Sequence, residues 1–76
     1  MASQEHLDIL RLGVEVWNLW RRENPGIQPD FRQAELNNIS LDKADLSRAN
    51  FNNANLKGTT LSEANLRSAS FNDAYS

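Results

Sequence analysis

Residues 43–56 read KADLSRANFNNANL, and in them Ala-Asp-Leu, Ala-Asn-Phe and Ala-Asn-Leu return every five positions. A helix turns about 100° per residue, so a step of five turns about 140° and spirals the large residues around every side. A straight strand alternates its faces, so an odd period sends successive large residues to opposite sides. Neither geometry builds a core. A short extended piece does, if a small residue and a large one both point inward and a corner then resets the alternation. Working outward, the large centres are Phe31, Leu36, Leu41, Leu46, Phe51, Leu56, Leu61, Leu66 and Phe71. Two positions before them stand Ala34, Ala44, Ala49, Ala54, Ala64 and Ala69, with Ile39 and Thr59 as departures. After the centres come turn-formers such as Asn37-Asn38, Ser47-Arg48, Asn52-Asn53, Lys57-Gly58 and Asn72-Asp73. A chain that corners every five residues winds into a solenoid of stacked coils.

The irregular positions count the sides of a coil. Phe31, Phe51 and Phe71 lie twenty residues apart, and so do Ile39-Ser40 and Thr59-Thr60. Lys43 falls twenty before Glu63, an attractive stacked pair. Four repeats per coil satisfy all three, and nine centres then make little more than two coils.

Tandem Ala-(Asp/Asn)-(Leu/Phe)-X-X over residues 30–76 resembles the pentapeptide-repeat family. The resemblance implies a β solenoid: a right-handed quadrilateral β-helix of about two coils, with Leu, Phe and Ala inside. It also implies a mostly non-enzymatic family, of which one subset binds DNA gyrase as a DNA-shaped rod. Glu35, where Asp or Asn is usual, joins Ile39, Ser40, Thr59 and Thr60 as local departures.

The chain divides at Asn24-Pro25-Gly26 into a helical segment with its linker, residues 1–26, and the repeat, residues 27–76. One N-terminal α-helix is expected, opened by Ser3 as N-cap with Glu5 in the first turn. Asp8, Arg11, Glu15, Asn18 and Arg22 form its polar stripe, along which Asp8 with Arg11 and Arg11 with Glu15 are spaced to pair. Leu7, Leu10, Val14 and Trp17 form one apolar stripe. Ile9, Leu12, Val16, Leu19 and Trp20 form another, and Gly13 lies toward it to permit close approach. Two stripes exceed what one-sided packing needs. One is expected to cap the first coil, and Ile9, Leu12, Val16, Leu19 and Trp20 are the candidate partner-binding residues. At the other end Leu56, Leu61, Leu66 and Phe71 line an open coil, and the expectation is an array that continues past residue 76 or pairs in a dimer.

Composition bounds the chemistry. The 76 residues suit one small domain with a thin core, and there are no cysteines. A formal charge of -2 is too mild for bulk attraction to nucleic acid, so no nucleic-acid partner is expected. The residues carry no signal-peptide pattern or membrane-length apolar run, so a cytoplasmic protein is expected. A membrane-surface role through Trp17, Trp20, Arg21 and Arg22 ranks below a protein partner, because the polar face is not basic enough. The single histidine, His6, is read as a surface or capping residue rather than a ligand. No catalytic, cofactor-binding or metal-binding set is expected, and no cofactor. The leading functional expectation is a non-catalytic protein–protein interaction or scaffold module. The alternatives are a DNA-mimicking gyrase-binding protein and a localisation segment joined to a separate effector domain.

Overall fold

The computed structural model describes residues 1–75; Ser76, the last residue of the expected repeat segment, lies outside them. Among them two helices come first, α1 (Gln4–Arg11) and α2 (Val14–Glu23), then a linker over residues 24–29, and the repeat begins at residue 30. The expected single helix is thus broken. Gly13 sits at φ 119°, ψ 159°, a conformation essentially reserved for glycine, and no helical hydrogen-bond run crosses it. A Cβ placed there meets nothing within 4 Å, so Gly13 serves the backbone conformation and not the close approach expected of it.

From residue 30 the chain pairs with itself twenty residues on. Parallel bridges join Asp30 to Asn50, Glu35 to Asn55, Ser40 to Thr60, Asp45 to Asn65, Asn50 to Ser70 and Asn55 to Tyr75. Each side contributes one bridging residue, so among the described residues the sides do not lengthen into continuous strands. The corners explain why. A hydrogen bond closes Phe31–Ala34, Leu41–Ala44, Leu46–Ala49, Phe51–Ala54 and their successors, and the third residue of each corner has positive φ. Eight non-glycine residues accept that strain: Gln33, Asn38, Lys43, Arg48, Asn53, Glu63, Ser68 and Asp73. Gly58 takes it without strain, at φ 76°.

The Asp or Asn before a centre has a backbone task. Asp30, Asp45, Asn50, Asn55 and Asn65 each accept the N–H two residues on through Oδ1, which starts the corner as an Asx turn.

The core fills from the cap side. Phe31, Ala34, Leu36, Leu41, Ala44, Leu46, Ala49, Phe51, Ala54 and Leu56 are buried together with Leu7, Leu10 and Trp17 of the helices. Ala64, Ala69, Leu61 and Leu66 are half-buried, and Phe71 is exposed in the last coil. The phenylalanines stack, Phe31 on Phe51 at 5.3 Å between ring centres and Phe51 on Phe71 at 5.0 Å. Trp17 continues the column 5.5 Å from Phe31, and Trp20 stacks on Trp17 at 5.1 Å. At the departures, the Thr59 hydroxyl donates to the Leu36 carbonyl and accepts from the Ile39 amide. It bridges a corner that lacks its own closing bond.

Candidate functional site

The cap is built to occupy the open backbone edge of the first coil. Such an edge presents N–H and C=O groups that would otherwise invite another strand. Ser3 donates its N–H to the Asp30 carbonyl, and the Asp30 N–H donates to His6 Nδ1 at 3.0 Å. Along α2, Asn18 accepts the Asp45 N–H at 2.7 Å and donates to the Lys43 carbonyl at 3.1 Å. Trp17 Nε1 and the Arg21 guanidinium both donate to the Asp45 carbonyl. Gln28 donates to the Arg48 carbonyl, and Arg48 reaches back to Pro25. Helix and linker side chains thus stand where a preceding coil's backbone would.

Two expectations change here. His6 is buried, with its ring against Trp20 and Phe31, because its nitrogen is needed by Asp30. Asn18, half-buried, is bonded to the first coil's backbone rather than left on a solvated stripe. Arg21 is also buried, and its Nε has no hydrogen-bond partner. Burial pulls its guanidinium below the ordinary value, against the charge of Asp45 and with that of Arg48. With Trp17 and Arg21 buried, the Trp/Arg cluster does not form a membrane-facing patch.

The second stripe splits. Ile9 and Trp20 pack partly against the core, so neither is free for a partner in the way expected. Leu12, Val16 and Leu19 remain outside at 70%, 44% and 48% exposure, and Ile27 of the linker is exposed as well. Charged Glu15, Arg22 and Glu23 are exposed beside them. Asp8 accepts from Gln4, and the expected Asp8–Arg11 and Arg11–Glu15 pairs do not form. An open hollow of about 390 Å³ lies where α1 meets the first coil, lined by Met1, Gln4, Leu7, Arg11, Arg32 and Glu35.

The coil faces are paved with short polar side chains that bond across coils. Asn52 accepts from the Ser70 hydroxyl and the Asn72 amide, Asp42 from the Ser62 amide, and Glu35 from Asn55. The expected Lys43–Glu63 pair does not close to ion-pair distance, although both residues hold the same left-handed position in successive coils. Arg32 and Asp30 do pair, at 2.9 Å. The Arg32 hydrogen bond holds the Asp30 carboxyl below its usual range. For Asp42 the Ser62 amide does the same, with Thr60 adding to it. Burial alone would raise Asp45, but hydrogen bonds from Ser47 and the charge of Arg21 outweigh it and leave the carboxyl lowered.

Most inward positions were legible from the period alone. The seam of His6, Asn18 and Arg21 was not, because a polar helix residue that satisfies a backbone edge has the same spacing as one facing water. Its available signal was Arg21 itself, off the polar stripe and one turn from Trp17.

Among the described residues no helix is long and apolar enough to cross a membrane. Comparisons with curated proteins and with solved structures give no match. The family model for pentapeptide repeats matches eight copies, over residues 30–62 and 44–75. These spans cover more than half of the chain and coincide with the stacked, cornering coils, and the chain belongs to the pentapeptide-repeat family.

Proposed function

We propose that this chain is a non-catalytic protein-interaction or scaffold module: a right-handed quadrilateral β-helix, capped at its N-terminus, that presents rigid surfaces to a protein partner. The observation that carries the reading is the exposed apolar surface of Val16 and Leu19 on α2, a helix already anchored by its other face, with Leu12 exposed at the end of α1. Burying a helix from one side needs one apolar stripe, and a second row left in water marks an interaction surface. The coils behind it supply rigidity through their cross-coil bonds.

A photo-crosslinking phenylalanine analogue at Val16 tests this in cells. Discrete heavier adducts are expected, and Leu19→Glu should remove them without changing the thermal melt. Absence of adducts both there and from a second probe at Asn53 on a coil face would overturn the reading. The gyrase-binding alternative is less favoured by charge. Asp30, Glu35, Asp42, Asp45, Glu63 and Asp73 are offset by Arg32, Lys43, Arg48, Lys57 and Arg67, and four of those carboxylates are engaged by their own chain. Dose-dependent inhibition of gyrase supercoiling at micromolar protein would promote it.

A further inference from the structure

We infer that the exposed row on α2 pairs with a second copy of this chain, helix against helix and antiparallel. This names one partner for the surface proposed above and rests on that reading. Val16, Leu19 and Glu23 follow one another on α2 at steps of three and four, the spacing of a helix–helix seam. All three are exposed. Their flank is self-complementary. Glu15 and Arg22 lie seven residues apart, on the same side of the seam, and both are exposed.

A two-fold axis near the middle of α2 sets Val16 against Leu19 of the partner subunit, and the reverse. The same operation brings Glu15 alongside Arg22 of the partner subunit, twice over. A parallel copy does not make these pairs, because it sets equivalent positions side by side. Charge therefore selects both the partner and the direction. The opposite flank carries Trp20 and Arg21, which are occupied by the core and the first coil. The row covers far less than the roughly 1,200 Å² at which stable interfaces begin, so the dimer is weak and concentration-dependent, with a dissociation constant on the order of 0.1–1 mM.

Sedimentation equilibrium on the purified chain, from micromolar to millimolar concentration, tests the pairing. Leu19→Glu should abolish it. Glu15→Arg should weaken it roughly tenfold, since two exposed attractions become repulsions. Glu15→Arg combined with Arg22→Glu should restore it, because the pair is re-formed with its signs exchanged. All three positions are exposed, and circular dichroism of each variant separates lost pairing from lost fold. A chain that stays monomeric at millimolar concentration overturns the inference. So does association that ignores Leu19→Glu, or a double variant no tighter than Glu15→Arg. A monomeric result leaves capture of a different protein at the same row to the crosslinking experiment, so the two readings fail separately.

Discussion

Ala49 shows how strictly single positions are set. It is fully buried beside Leu46 and Phe51, and its amide closes the corner on the Leu46 carbonyl. Three added carbons have no space there. Ala49→Leu should cost about 1–3 kcal/mol through forced side-chain and backbone shifts. The exposed Arg67→Leu should change stability by no more than about 0.5 kcal/mol. Thermal melts compare them directly, and equal midpoints would show that the small sites are not inward-facing and packed. This inward/outward division was legible, because a five-residue period admits only one way to gather its large and small residues. What Asp and Asn do before each centre was not legible from the period: the Asx turns at Asp30, Asp45, Asn50, Asn55 and Asn65 depend on side chains folding back on the local backbone. Thr59 teaches the same lesson. In the sequence it interrupts the pattern, whereas in the structure its hydroxyl replaces the closing bond of the corner above it.

At the scale of the elements, the cap is two helices because of one residue. Apolar spacing runs continuously from Leu7 to Trp20, so the pattern alone reads as one helix. Glycine inside a helix is costly yet tolerated, and only the backbone angles reveal a break. Gly13 gives a test in which conformation is separated from packing. Gly13→Ala places a methyl in open space but forces an L-residue to φ 119°. The expected loss is about 1–3 kcal/mol, or a straightened helix that unseats Leu7 and Leu10. A chemically synthesised chain with D-alanine at position 13 should keep the native stability, since the mirror residue accepts that region. If L- and D-alanine chains melt together, the break is not set by Gly13. The break matters for the seam, because α1 and α2 make separate attachments: His6 holds Asp30, and Asn18 with Arg21 holds Asp45.

Across the whole molecule, cap and coils form one column of aromatic rings from Trp20 through Trp17, Phe31 and Phe51 to Phe71, and a set of carboxylates is bonded on the outer surface. The twenty-residue phenylalanine spacing made the coil part of that column legible; the place of Trp17 in it follows from the helix docking and has no periodic signature. The carboxylates determine how the assembly responds to acid. Asp30, Asp42 and Asp45 are all lowered in the folded chain, by Arg32, by the Ser62 amide, and by Ser47 with Arg21 against the opposing effect of burial. A lowered folded value means that the unfolded chain takes up protons first as the pH falls. Their contribution is therefore fully present above the ordinary carboxylate range near pH 4, and is lost as the pH falls through that range and the folded values below it. Urea midpoints should hold level from pH 7 to about pH 5 and then decline steeply toward pH 2.5. Asp45→Asn should lower the midpoint at pH 7 and flatten the decline, because Asp45 is the carboxylate bound to the buried Arg21 seam. Its partner is the guanidinium whose Nε is already unpaired, so removing the charge leaves Arg21 less compensated. A midpoint that stays constant from pH 5 to pH 2.5 would mean that these carboxylates are not held more tightly folded than unfolded, and that cap and coils are joined by packing and by the bonds to the coil backbone.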